Sequence, residues 1–315
     1  MEQMTVYTRL QARDVQNLCD DYGLTVLDFE PIEAGASNSN YVLHTRQGRY
    51  VLTFFDDKTF DHAMRLARLL LLLEEHGFPA PRLLSPVEGG LIVTRKGKAA
   101  MVKAYIAGEV HHDLDQTMLR QIGAAMARLH QVPAPGFLAH RQTYGRECLP
   151  DVVDQNVDPE YETWVASRFA EIERRLPRLL PAGLIHGDLF YDNVLFVDGE
   201  LEAIIDLEEA VYHYKGFDLG MGIVGTCCKD SVLMLDKARA LVGGYRRVRE
   251  LEEREKKALQ LFCEYAAASV SCWRFWKYHV DMPSAEKADE HRHMVRIAEN
   301  IRSIPRARFL DAVCA

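Results

Sequence analysis

Residues 185–193 read IHGDLFYDN, and ten residues beyond Asn193 comes AIIDLEEA, residues 203–210. His186, Asp188 and Asn193 crowd one short loop, and Asp206 closes an apolar run of strand character. Polar side chains this dense have two explanations. They form a surface turn whose last aspartate caps a helix, or they form a constellation that does chemistry. An isolated His-x-Asp would leave the turn ahead. Here the loop, two short strand-like segments and the carboxylate follow in order, with a β-rich region upstream, and that joint pattern favours chemistry.

The whole chain narrows the choice. Its 315 residues suffice for one two-lobed domain with a substantial core or for two modest domains. A hydrophobic share of 48% and a charged share of 27% are those of a soluble globular protein. The formal charge of −8 disfavours general affinity for nucleic acid or anionic membrane, so an anionic ligand needs a local cradle or a cation. Seven scattered cysteines do not make a disulfide framework, and adjacent Cys227 and Cys228 lack metal-ligand spacing. The N-terminal MEQMTVYTRLQ has no signal-peptide core, and LARLLLLLEEHG is too short and too charged to span a membrane. A cytoplasmic location is expected.

Working outward from the loop, QARDVQNLCDDYGL predicts a short helix stopped by Gly23. FEPIEAGASNSN, YVLHTR and RYVLTFF, with a turn at Gln47-Gly48, predict an antiparallel meander. A helix from Phe60 to His76 ends at GFPAP, and GGLIVTRKGK and AAMVKAYIAG predict two more strands. Beyond Gly108 the pattern turns helical, with TMLRQIGAAMARLHQV and a helix opened by Asp158-Pro159. NVLFVDG and LEAIIDL predict a hairpin around Gly199, and long helices are expected from about Ser231 onward. The expected architecture is α+β and two-lobed: residues 1–105 a nucleotide-binding β-rich lobe, residues 106–315 a helical lobe with the catalytic loop and acceptor site, joined by a hinge near 104–110.

Phosphoryl transfer asks a protein for an aligned nucleophile, a group to take its proton, and cations on the phosphates. IHGDLFYDN fits the catalytic loop of the kinase fold, with Gly187 where protein kinases usually carry arginine. Asp188 would accept the substrate hydroxyl proton. Asn193 and Asp206 would offer hard oxygens to Mg2+, which needs few protein ligands because phosphates and water complete its shell. His186 would brace the loop.

With HGDxxxxN in place of HRDxxxxN, the sequence resembles the aminoglycoside phosphotransferase and choline kinase superfamily over nearly the whole chain. FDLG, at Phe217 to Gly220, matches a position where the superfamily's aspartate braces the catalytic loop, which implies a structural role for Asp218. GASNSNYVLHTRQGRYVLTFFD, GFPAPRLL, GKAAMVKAYIAG and the late CWRFW are most similar to homoserine kinases of the phosphotransferase type. The resemblance implies a protein-kinase-like fold, ATP and Mg2+ as cofactors, and a small-molecule hydroxyl as acceptor.

On the nucleotide side, Gly35, Ser37, Asn38, Ser39 and Asn40 would bring backbone N–H groups and small polar side chains to the phosphates. Backbone groups of Ala104 and Ile106 would read adenine at the hinge. The superfamily's phosphate-binding lysine is expected in YVLTFF, where Thr53 stands instead; a threonine there fits the homoserine kinase pattern. The helix that follows offers Arg65 and Arg68 but no glutamate until Glu74, so the lysine–glutamate pair is missing.

On the acceptor side, Glu208 or Glu209 would pair with an ammonium group, or both form a solvated acidic turn. In SVSCWRFWKYH, Arg274 would take a carboxylate and Trp276 would wall a cation pocket, unless these aromatic positions are core. Tyr191, Tyr212 and His213 are further candidates. His111-His112 reads as a solvated turn, and His291 and His293 point to different helix faces. The distance from Asp206 to FDLG leaves no activation segment for docking a peptide, so the acceptor is a small molecule: L-homoserine first, with choline, ethanolamine, hydroxylysine or an aminoglycoside as alternatives. A non-catalytic, pseudokinase-like nucleotide-binding protein is the rival reading.

Overall fold

A computed structural model describes residues 8–32 and 38–314. The chain falls into two compact units, one running to Ala107 and including Ala203–Ile205, the other comprising Gly108–Glu202 and Asp206–Ala315.

In the first unit, helix α1 (Ala12–Asp21) starts at a capping box between Gln11 and Asp14 and ends before Gly23, whose φ of +66° is left-handed. Strands β1 (Val26–Ile32), β2 (Ser39–Thr45) and β3 (Gly48–Phe54) form the antiparallel meander, with Thr45 opposite Gly48 across a tight hairpin. Helix α2 (Phe60–Glu75) is capped by the Thr59 hydroxyl and stopped by Gly77. Strands β4 (Leu83–Leu84), β5 (Val93–Arg95) and β6 (Lys98–Ala104) complete a sheet of order β1-β2-β3-β6-β4, with β5 also on β6. Strand alternation sorts its two faces. Tyr41, Leu43, Leu52, Phe54, Ala100 and Val102 pack on Val15, Leu18 and Cys19 of α1. Thr53 and its cross-strand partner Met101 lie on the opposite face, both fully buried.

The second unit opens with α3 (Gln116–Leu129), where the Asp115 carboxylate accepts from two backbone N–H groups, and α4 (Pro159–Arg175), capped by Asp158. Strand β7 (Ala182–Ile185) leads into the HGD loop, and the hairpin of β8 (Val194–Val197) and β9 (Glu200–Ile204) follows it. Strand β10 (Val211–Tyr214) returns antiparallel to β7. Helix α5 (Lys215–Cys227) is buried from Gly216 to its end. A small hairpin, β11 (Cys228–Lys229) and β12 (Val232–Leu233), separates it from α6 (Leu235–Arg246), α7 (Glu253–Phe275), a π-helical turn (Trp276–Asp281), α8 (Glu290–Ser303) and α9 (Arg306–Val313). The long helices expected from Ser231 are thus corrected at their start. Helix resumes at Lys215, and Asp230 and Ser231, at φ of +48° and +63°, make a hairpin turn.

Helices α3 and α6 cross at backbone contact. A Cβ at Gly123 would lie 2.0 Å from the Leu241 carbonyl oxygen, and one at Gly244 2.0 Å from that of Arg120. Only two glycines allow this approach. Gly244→Ala is expected to separate the helices and cost about 1–3 kcal/mol, as overpacking in a dense core does. Chemical denaturation checks it: an unchanged midpoint would mean the helices part freely.

Candidate active site

The loop after β7 is held from beneath by one carboxylate. Asp218, in the first turn of α5, is fully buried and accepts from the backbone N–H of His186 at 3.1 Å and of Gly187 at 2.8 Å. His130 Nε2 donates to the same carboxylate at 2.9 Å, while His130 Nδ1 pairs with the Tyr245 hydroxyl at 2.7 Å. Burial pushes the Asp218 carboxyl up, but the hydrogen bond and charge of His130 and the Gly187 N–H outweigh it and hold it below its ordinary value. Burial also lowers His130. In this pair the imidazole Nε2–H donates and the carboxylate accepts. Lys215 Nζ anchors the His130 carbonyl at 2.6 Å.

Gly187 explains why the loop reads HGD. Its φ is +85°, and a Cβ would lie 2.6 Å from the Glu209 carbonyl oxygen. Arginine has no room there.

Asp188 projects from this braced turn, its N–H directed at His186 Nδ1 at 3.3 Å. The Tyr144 hydroxyl donates to its carboxylate, and Asp206 and Glu209 are close enough to repel it. Burial first, then those two charges, push Asp188 up to about 8. Asp206 sits in the left-handed region, at φ 59° and ψ 57°, a conformation costly for a non-glycine residue and common at functional sites. Asn193 donates its side-chain NH2 to the Asp188 carbonyl at 2.9 Å, which fixes the amide so that its oxygen is the outward group.

These residues fit a magnesium ion. Asn193 and Asp206 would offer one amide and one carboxylate oxygen, and a divalent cation would offset the mutual repulsion of Asp188, Asp206 and Glu209. Among the described residues no group of three or more His, Cys, Asp or Glu makes a self-sufficient metal centre. A two-ligand set relies on phosphate and water oxygens for the remainder.

The nucleotide-side residues are placed unevenly. Gly35 and Ser37 lie outside the described residues. Asn38 is buried. The Ser39 hydroxyl donates to Asp56 Oδ2 at 2.5 Å and accepts from the Thr8 N–H at 2.7 Å. Asp56 also takes Lys98 Nζ and the Thr8 hydroxyl, each at 2.6 Å. The Asn40 side-chain oxygen accepts from the Thr53 hydroxyl at 2.7 Å. The hydroxyl of Ser39 and the amide oxygen of Asn40 are thus engaged within the sheet rather than presented from a loop. The Ala104 N–H donates to the Arg82 carbonyl at 2.8 Å as part of the sheet edge. Ile106 follows the end of β6.

On the acceptor side, Glu209 belongs to the Asp188 cluster, and Glu208 sits beside it in the same short turn. The Tyr191 ring lies 4.9 Å from that of His112, so the His111-His112 turn packs on the catalytic loop and on Phe196. Tyr212 faces His140, and His213 packs on Phe217. Arg274 reaches the Glu290 carbonyl of α8 at 3.4 Å, and the Trp276 ring meets its neighbour Lys277. Neither is joined to Asp188 by any of these contacts. Trp273 is: its ring packs edge-on against Tyr144 at 5.2 Å, and Tyr144 holds Asp188. Tyr144 and His130 escaped sequence reasoning. Tyr144 lies in a stretch without periodicity, and His130 looks like the ordinary end of an amphipathic helix.

A raised Asp188 has a thermodynamic signature. Between the ordinary carboxylate value of about 4 and about 8, the folded state keeps a proton that the unfolded chain has released. Stability therefore falls as pH rises through that window. In chelator-treated protein, Asp188→Asn should melt with the wild type near pH 4 and above it by a few degrees at pH 8. Parallel melting at every pH would show that Asp188 is not raised.

A sequence model described as "Phosphotransferase enzyme family" matches residues 28–251. The homoserine kinase of Bartonella henselae is 27% identical, over 97% of this chain and all of its own length. That of Nitrobacter winogradskyi is 29% identical over 84% of both chains. Among solved structures, an amicoumacin kinase in complex with AMP-PNP, Ca2+ and Ami superposes with a TM-score of 0.74 at 17% identity, covering 95% of this chain and 97% of its own. The chain, with its braced HGD loop, belongs to the phosphotransferase enzyme family and is a small-molecule kinase of protein-kinase-like fold.

Proposed function

We propose that the protein transfers the γ-phosphate of ATP to the side-chain hydroxyl of L-homoserine, giving O-phospho-L-homoserine. The observation that carries the phosphotransfer reading is the site itself: Asp188 held on a loop pinned by Asp218, with the Asn193 oxygen and the Asp206 carboxylate beside it. The full-length likeness to homoserine kinases supports the choice of acceptor.

Asp188, as carboxylate, orients the acceptor hydroxyl and takes its proton as the oxygen attacks phosphorus. The Tyr144 hydroxyl fixes the rotamer of Asp188 and lowers its proton affinity against the opposing charges. Asn193 and Asp206 would hold Mg2+, which when bound supplies charge neutralisation on the phosphates. The Thr53–Asn40 pair where a phosphate-binding lysine is expected favours a second reading, a nucleotide-binding protein without turnover.

Release of ADP across a panel of L-homoserine, choline, ethanolamine, hydroxylysine, serine and two aminoglycosides separates these readings. Saturable turnover with homoserine is expected. Asp188→Asn should lower kcat by roughly 10²–10⁴-fold while ATP·Mg2+ still binds. Turnover that survives the substitution would remove Asp188 as the base, and silence with every acceptor would favour the binding protein.

A further inference from the structure

The segment between α3 and α4 contains polar groups that neither the fold nor the phosphotransfer step uses. Gln142 is 2% exposed, and among the described residues neither its side-chain oxygen nor its nitrogen has a hydrogen-bond partner. Five residues on, Glu147 Oε2 is also buried and unpartnered. Buried amides and carboxylates are almost always paired, because leaving them dry forfeits their hydration. Two such groups in one short segment mark a place built to receive something.

Their geometry says what. Gly145 lies between them in fully extended backbone, φ −175° and ψ −168°. A Cβ there would sit 2.5 Å from Glu147 Oε2 and 3.4 Å from Gln142 Oε1, so the two oxygens converge on one side of the glycine. The cations nearby are directed elsewhere. Arg146 pairs with Glu173, Arg168 with Glu171 and Glu264, and Arg141 reaches the Glu147 backbone carbonyl. The Gly145 carbonyl is taken by the Cys148 N–H and thiol. The buried ring of Tyr265 lies close enough to feel the charge of Glu147, and offers no cation.

Two convergent acceptors, one of them anionic, call for a compact donor with several N–H groups. A primary ammonium is such a donor. Tyr144 ties the place to the chemistry: it lies between Gln142 and Gly145 in sequence, and its hydroxyl holds Asp188. We infer that Gln142 Oε1 and Glu147 Oε2 form the subsite for the ammonium group of the acceptor, which makes the substrate class primary amino alcohols or hydroxy amino acids. This rests on the phosphotransfer reading above for its link to catalysis, but not for the binding itself. The Gln142 NH2 is then left to donate to a second polar group of the same ligand. Glu208, Glu209 and Arg274 are not needed for the ammonium.

Calorimetry with nucleotide-free protein tests the subsite apart from turnover. The probes are L-homoserine and 4-hydroxybutanoate, which differ by the amino group. Wild type should bind homoserine more tightly, and Glu147→Gln and Gln142→Leu should each weaken it by roughly ten- to hundredfold, closing the gap between the two probes. Melting curves establish that each variant is folded; two variants guard against one that is not. Equal binding of both probes by wild type, or unaltered homoserine affinity in a folded variant, would overturn the inference and leave the two groups to an ordered water. Amino-dependent binding without any ADP release would leave the subsite standing and sink the kinase reading alone.

Discussion

One buried carboxylate organises the catalytic half of this protein. Asp218 has no solvent, yet it stays ionised because His130 and the N–H groups of His186 and Gly187 meet it with directed hydrogens. Removing those hydrogens would leave an uncompensated charge in the interior, so the loop cannot drift without a large penalty. The rest follows from that restraint. Gly187 must take its left-handed turn against Glu209, Asp188 must project from it, and Asn193 closes the loop on the Asp188 carbonyl. The rigidity of the base is obtained from a residue thirty positions away in sequence.

The β-rich unit has its own polar anchor. Asp56 collects Ser39, Thr8 and Lys98, tying the start of β2 to the end of β3 and to β6. Thr53 pairs across the strands with Asn40. Its position on the face opposite α1 is fully buried, a poor place for a lysine without a phosphate. A lysine-free strand thus makes local sense, since the neutral pair satisfies itself whether or not a nucleotide is present.

Legibility from sequence followed the physics of each feature. Asp188, Asn193 and Asp206 stood out as candidates because a proton acceptor and magnesium ligands would restrict residue types, and the structure places Asn193 and Asp206 close to Asp188. The meander and the capped helices α2, α3 and α4 could be read because alternation, glycine stops and side-chain caps are local. Helix α5 was obscured by its glycines, which disfavour helix in isolation. They are there because the helix is squeezed: a Cβ at Gly225 would lie 2.5 Å from the Leu189 carbonyl oxygen and one at Gly220 2.7 Å from the backbone of Phe262. That Trp273 meets Tyr144 depends on the phase of α7 against a loop with no periodic pattern. The loss of the Ala104 N–H to Arg82 is a tertiary pairing that no local signal announces.

The brevity of the path from Asp206 to β10 has a consequence for control. A short turn joins the metal-side aspartate to a strand already paired with β7, and α5 begins at once after it. With glycine instead of arginine in the HGD loop, the short stretch from Asp206 to β10 leaves, among the described residues, no long segment there for a phosphate to order and no loop guanidinium to receive one.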